Sequence, residues 1–272
     1  MEWWLAGFLG VVQGITEFLP ISSSAHLRIV PALFGSKDFG ASFTAVTQIG
    51  TIFSVLIYFK KDLYQILMSL IKGLFNKKNR DFNFKLGISI LVATIPISLI
   101  GFFAQDFIRT SARNLYLVAV ILLGFSFVMY LADRFNKQEK EIQDISSKHI
   151  LIIGIAQSLA LIPGFSRSGA TITAARFLKI KRDAAARISF LLSVPAIVLS
   201  GLYELLDISK NNPVGWGPTL LATAIAFIVG YLSIAWLIKW LGKHSLNSFV
   251  IYRIILAIIV LLLLNAQIIN PI

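Results

Sequence analysis

An ungapped internal repeat constrains this 272-residue chain more than any other feature. Residues 10–26, Gly-Val-Val-Gln-Gly-Ile-Thr-Glu-Phe-Leu-Pro-Ile-Ser-Ser-Ser-Ala-His, return 144 positions later as Gly-Ile-Ala-Gln-Ser-Leu-Ala-Leu-Ile-Pro-Gly-Phe-Ser-Arg-Ser-Gly-Ala. Gly10, Gln13, Ser22 and Ser24 coincide with Gly154, Gln157, Ser166 and Ser168, and the apolar positions track each other. Each copy interrupts an apolar run with proline and sets small polar or charged residues at the interruption. In a hydrophobic chain this pattern marks paired broken helices whose polar tips meet inside a membrane and hold a substrate.

Composition decides the solvent. With 57% apolar residues, 14% charged residues and a mean hydropathy of +0.79, there is too little polar surface for a water-soluble globule. Apolar runs long enough to cross a hydrocarbon core of roughly 30 Å fall at about 41–59, 85–104, 114–131, 184–206, 218–241 and 249–269. The first residues, Met1 to Trp4, carry no basic region, so no cleaved signal peptide is expected. The absence of cysteine excludes disulfides and Cys metal sites.

The net charge of +12 fits either nucleic-acid binding or membrane topology, and its distribution decides. Lys60, Lys61, Lys72, Lys77, Lys78, Arg80 and Lys85 share one loop; Arg134, Lys137, Lys140 and Lys148 share another. Arg176, Lys179, Lys181, Arg182 and Arg187 form a third group, and Lys239 and Lys243 a fourth, 18 residues in all. The alternating loops and ends hold only Arg28, Lys37, Arg109, Arg113 and Lys210. Such a split is the positive-inside signature and puts loops 60–85 and 132–148 in the cytoplasm. No nucleic-acid partner is expected. Residues 62–75 suit an interfacial amphipathic helix flanked by lysines, with a solvated charged loop as the alternative.

Residues 3–34 and 149–178 each hold an apolar stretch (3–19; 149–162), a polar break and a second stretch of about ten residues, half a membrane at 1.5 Å per residue. They read as re-entrant hairpins, whose non-helical backbone is tolerated at depth only when buried in protein or facing a wet cavity. The expected fold is all-α and polytopic: six transmembrane helices plus two re-entrant hairpins, in one membrane domain over 1–272. Three spans follow each hairpin, so repeats of about 1–131 and 149–269 run in inverted topology, with the first hairpin entering from outside. Two extra kinked spans, eight in all, are the alternative.

Few ionisable residues interrupt the apolar segments: Glu17, His26, Arg167, Glu204 and Arg253. An Arg at bilayer depth costs at least ~2.5–3.5 kcal/mol and needs a partner or a task. Arg167 stands between two serines past Pro163-Gly164, where the following helix aims its N–H groups into the break, a setting suited to phosphate. The plainer reading pairs it with Glu17 to hold the hairpins together. Arg253 is read as snorkelling or structurally paired. Gln13 and Glu17, four residues apart, share a helix face directed at Ser22, Ser23, Ser24 and His26. Carboxylate, hydroxyls and imidazole together supply a base, a nucleophile and an acid. Metal ligation by Glu17 and His26 is weakly supported, with Gln13 a poor third ligand.

Gln-x-x-x-Glu with Phe-Leu-Pro-Ile-Ser-Ser-Ser-Ala-His (13–26), and Pro-Gly-Phe-Ser-Arg-Ser-Gly-Ala-Thr (163–171), resemble the undecaprenyl-diphosphate phosphatase family associated with bacitracin resistance. Length and span pattern extend the resemblance over essentially the whole chain. Gln13 stands where other members have Glu, which leaves any carboxylate duty to Glu17; Ala25 stands where Gly is frequent. The resemblance implies hydrolysis of undecaprenyl diphosphate to the monophosphate and inorganic phosphate at the outer face of the bacterial cytoplasmic membrane. The expected catalytic set is Glu17, Ser23, His26 and Arg167: Ser23 attacks, Glu17 orients or deprotonates it and His26 aids proton transfer, with attack by His26 or by a Glu17-activated water as the alternative and Gln13 in support. Ser22, Ser24, Gly164, Ser166, Arg167, Ser168 and Thr171 are the expected phosphate ligands. A divalent cation, Mg²⁺ or Ca²⁺, is expected to bridge Glu17 and the diphosphate. Expected partners are a polyprenyl diphosphate and membrane lipids, with a homo-oligomer left open. A carrier that flips prenyl phosphates with the same site is the competing function.

Overall fold

The computed structural model of the chain describes residues 2–35, 39–104, 114–208 and 215–271. Lys37, Arg109, Arg113 and Lys210 lie outside the described residues, as does the side chain of Glu204. Arg28, counted above with the loops and ends, is instead buried in a helix.

Eleven α-helices are present among the described residues: α1 Trp3–Thr16, α2 Ser23–Leu33, α3 Gly40–Tyr58, α4 Lys60–Phe75, α5 Phe82–Phe103, α6 Leu115–Phe135, α7 Ser147–Gln157, α8 Arg167–Phe177, α9 Arg182–Ile208, α10 Trp216–Leu241 and α11 Asn247–Asn265. Five of them, α5, α6, α9, α10 and α11, are long and apolar enough to cross a membrane, and a sixth span is available if α3 and α4 count together. The surface is apolar: on α5 alone Leu91, Val92, Ile95, Leu99 and Phe102 are exposed. Polar side chains such as Gln13, Glu17, Ser126, Gln157 and Arg253 are buried. Apolar outside and polar inside is the arrangement of a multi-pass membrane protein, where lipid is the outer solvent.

Local chemistry sets the helix ends. Asp81 accepts the Phe84 N–H at 2.8 Å and starts α5, while the Asn114 side chain starts α6. Ser146 and His149 cap α7 reciprocally. Residues 62–75, expected as either interfacial helix or loop, fall within α4, which is bent 76° from the apolar helix before it. Ile66 is buried and, with Leu70, lies against Gly87 of α5; Tyr64, Leu67, Ile71 and Leu74 face outward at three- and four-residue spacing. Such a stripe flanked by lysines suits a membrane–water interface.

The two repeated segments pack in an exchanged manner. α1, from the first copy, lies along α10 of the second half, and α7, from the second copy, lies along α5 of the first. Further contacts join α3 to α9 and α10, and α6 to α11. The shared glycines permit the close approach: a Cβ on Gly10 would lie 2.5 Å from the Ala222 carbonyl oxygen, and one on Gly154 2.4 Å from that of Ala93. Alanine normally gains ~0.5–1 kcal/mol over glycine inside a helix, but here backbone must move, and overpacking costs ~1–3 kcal/mol. Gly154→Ala therefore lowers the thermal unfolding midpoint in detergent. Gly7→Ala, whose nearest neighbour is an Ile225 methyl at 3.4 Å, does not. Equal midpoints for the two variants would remove the close-approach explanation.

Candidate active site

A proline lies in each interruption. Pro20 and Pro163 lack an N–H, and the chain re-enters helix only after Ser22 and Ser166, at φ 75° and 73°. Their hydroxyls accept the N–H of Ala25 (3.4 Å) and Gly169 (3.1 Å), capping α2 and α8. Each also lies 3.1 Å from the serine hydroxyl two residues on, Ser24 or Ser168. Two helix N-termini, with their positive dipole ends, thus begin at neighbouring breaks.

Three contacts join the breaks. The Ser168 hydroxyl donates to the Leu19 carbonyl at 3.1 Å, and the Gly164 N–H donates to Ser22 Oγ at 3.2 Å. Gly164 sits at φ +101°, strained for any other residue, and a Cβ there would meet the Val118 carbonyl at 2.9 Å. The third contact is the ion pair of Arg167 Nη2 with Glu17 Oε1 at 2.6 Å.

Glu17, at the end of α1, is the centre of the cluster. Its Oε2 accepts from Ser23 Oγ at 2.7 Å and Gln13 Nε2 at 3.0 Å. Its Oε1 accepts from Arg167 and from Gln48 Nε2, at 2.9 Å. The Glu17 side chain is 4% exposed and that of Arg167 13%, so the guanidinium, half-buried Ser23 and half-buried Gln48 are what a ligand reaches first. A serine proton resting on a carboxylate, with a guanidinium alongside, can transfer a phosphoryl group: nucleophile, proton acceptor and charge clamp lie within two hydrogen bonds.

His26 stands apart from this cluster. Its Nδ1 lies 2.8 Å from the Ser22 carbonyl, an acceptor only, so Nδ1 carries the proton and donates. Neutral Nε2 then accepts from the Tyr252 hydroxyl at 2.6 Å. Thr171, expected at the phosphates, is fully buried, with its hydroxyl donated to the Arg167 carbonyl at 2.8 Å and paired with Ser189. Its reach toward a phosphate is therefore indirect, through the first turn of α8.

Sequence reasoning missed Gln48 and Tyr252, and it assigned Arg253 no part in the site. Gln48 belongs to a polar row, Thr44, Thr47, Gln48, Thr51 and Ser54, whose three- and four-residue spacing inside an apolar span was the available signal. Among the described residues no group of three or more His, Cys, Asp or Glu could hold a metal ion. Glu17 is a single carboxylate with both oxygens already engaged. This donor set does not fit a resident cation, which needs several oxygen ligands.

The family model described as bacitracin resistance protein BacA matches residues 6–259. The chain is 47% identical over 266 residues to the undecaprenyl-diphosphatase of Corynebacterium glutamicum, covering 97% of this chain and 91% of the relative. It is 48% identical over 271 residues to that of Mycolicibacterium smegmatis, covering 97% and 98%. To that of Mycobacterium sp. (strain KMS) it is 46% identical over 278 residues, covering all of both chains.

Proposed function

We infer that this chain, which belongs to the bacitracin resistance protein family, hydrolyses undecaprenyl diphosphate to undecaprenyl phosphate and inorganic phosphate. It thereby recycles the lipid carrier of cell-wall synthesis. The observation that carries the reading is Glu17, joined to Ser23 at 2.7 Å on its own break and to Arg167 at 2.6 Å on the other. In the proposed reaction the terminal phosphate enters between the α2 and α8 N-termini and takes up Nε and Nη1 of Arg167, whose Nη2 stays on Glu17. Ser23 Oγ then attacks the terminal phosphorus and gives its proton to Glu17. The bond to the lipid phosphate breaks, undecaprenyl phosphate leaves, and water releases inorganic phosphate from the phosphoserine. Ser22, Ser24, Gly164, Ser166 and Ser168 shape the phosphate seat, Gln13 and Gln48 hold the carboxylate, and Thr171 braces α8. His26 assists proton transfer through Tyr252; attack by His26 itself is disfavoured because both of its nitrogens are engaged.

The expected Mg²⁺ or Ca²⁺ enters this reading only as a companion of the diphosphate, where it would neutralise phosphate charge, and no step runs through it. The competing carrier function has no support among the three relatives, each named for hydrolysis. Detergent-purified protein releases inorganic phosphate from undecaprenyl diphosphate; binding without release would favour the carrier.

The same proposal sets the site in the bacterial cytoplasmic membrane, opening outward, within an inverted repeat of about 1–131 and 149–269 whose breaks are re-entrant. Support comes from the exchanged packing, the matched φ of Ser22 and Ser166, and the 11-residue lengths of α2 and α8, about half a membrane thickness. Single cysteines at Lys78 and at Asn211, which lies outside the described residues, label with an impermeant thiol reagent from opposite sides. Labelling from one side would overturn the inverted topology.

A further inference from the structure

Arg253 of α11 is fully buried, and the reaction just described leaves it without a task. Its Nε donates to Ser126 Oγ at 3.0 Å. Nη1 donates to the carbonyls of Pro20 at 3.4 Å and Phe165 at 3.3 Å, and Nη2 to that of Gly164 at 2.8 Å. The guanidinium also lies over the Phe125 ring, 5.4 Å from its centroid. One side chain thus grips the backbone of both breaks at once. All its hydrogen-bond acceptors are neutral, and among the described residues it has no carboxylate partner. A buried cation is normally paired, because desolvation is costly and carbonyl dipoles offset it only in part.

Two consequences follow from elementary chemistry. A trans peptide points its N–H opposite to its C=O, so turning three carbonyls toward Arg253 fixes the planes of the peptides on either side of the junction. The distance from Ser23 and Glu17 on one hairpin to Arg167 on the other is then set from below by a single rigid fork. The second consequence is electrostatic. Arg167 is balanced by Glu17, whereas the charge of Arg253 remains uncompensated until an anion arrives.

We propose that Arg253 is a positioning residue for phosphoryl transfer: it locks the two breaks in register, and its unbalanced charge draws the diphosphate to the junction. The proposal rests on the phosphatase reading, and it is separable from it by measuring binding as well as turnover. Inorganic diphosphate is titrated calorimetrically into full-length protein carrying Ser23→Ala, so that the probe is not consumed, with and without changes at Arg253. Arg253→Gln weakens binding at least about tenfold because the charge is gone. Arg253→Lys keeps binding within about threefold, yet in the Ser23 parent it lowers kcat at least about tenfold, since one ammonium cannot grip both breaks. Ser126→Ala, which removes one neutral contact, leaves both quantities within about threefold.

Diphosphate binding unchanged in Arg253→Gln, or equally weakened in Arg253→Gln and Arg253→Lys, would overturn the electrostatic part. A kcat close to the parent's in Arg253→Lys would overturn the positioning part, and that variant suffices if Arg253→Gln does not fold. A parent protein that binds diphosphate but releases no phosphate from any prenyl diphosphate would sink the phosphatase reading, while the binding series still reports on Arg253.

Discussion

Alanine at position 23 stops phosphate release from undecaprenyl diphosphate. The Ser23 hydroxyl is the one oxygen of the serine cluster that donates to Glu17, at 2.7 Å, and alanine removes the reacting atom itself. The expected fall in kcat is at least about 10³-fold, since what remains is binding and charge stabilisation. The neighbouring serines serve as controls. Ser22→Ala loses a helix cap and the acceptor of the Gly164 N–H, a cost of about 1 kcal/mol per interaction. Ser24→Ala loses one hydroxyl contact at 3.1 Å. Both remain active enough to assay. Glu17→Gln keeps the shape but removes the charge that takes the proton, and falls nearly as far as Ser23→Ala. The measurement is phosphate release normalised to folded protein, with acid quenching to trap a phosphoserine in the parent. Substantial turnover by Ser23→Ala together with an inactive His26→Ala would move the nucleophile to the imidazole and leave Ser23 as a phosphate ligand.

The parts of this site that were legible in sequence are those that violate an apolar background locally. A proline in each break marks where regular helix stops, and serines after a proline read as helix caps; the cap expected at Ser24 is instead Ser22 on the first break, with Ser166 on the second. Glu17 and Arg167 were identifiable as partners because an isolated buried charge is costly whichever break carries it. Span positions followed from hydropathy, so α9, expected near 184–206, runs Arg182–Ile208, and α11, expected near 249–269, runs Asn247–Asn265. What sequence did not supply is the contribution of distant helices. Gln48 lies 31 residues from Glu17 and Tyr252 lies 226 from His26. Each is chemically ordinary within its own helix and becomes significant only when α3 and α11 pack beside the breaks. Arg253 failed for a different reason. A lone arginine in an apolar run reads as snorkelling, and only the packed structure reveals backbone carbonyls from both breaks converging on it.

Lysine at position 167 keeps the protein folded and its cluster neutral but costs about 10²–10³-fold in phosphate release, the effect expected when a transition-state donor is lost. Among the described residues Arg167 engages only Nη2, with Glu17, which leaves Nε and Nη1 for phosphate oxygens. A lysine ammonium retains the charge and can still reach Glu17, but it has no planar fork to bridge carboxylate and phosphate together. If the role of Arg167 were only to tie the two breaks through its ion pair, lysine would meet that need and activity would stay near the parent's. The two roles therefore separate in one variant. The expected result is a large loss in kcat with a smaller rise in KM, because the fork acts most strongly where charge gathers on the transferring phosphoryl group. Parental kcat in Arg167→Lys protein with an unchanged unfolding midpoint would make the pair structural and return the phosphate seat to the α2 and α8 N-termini alone.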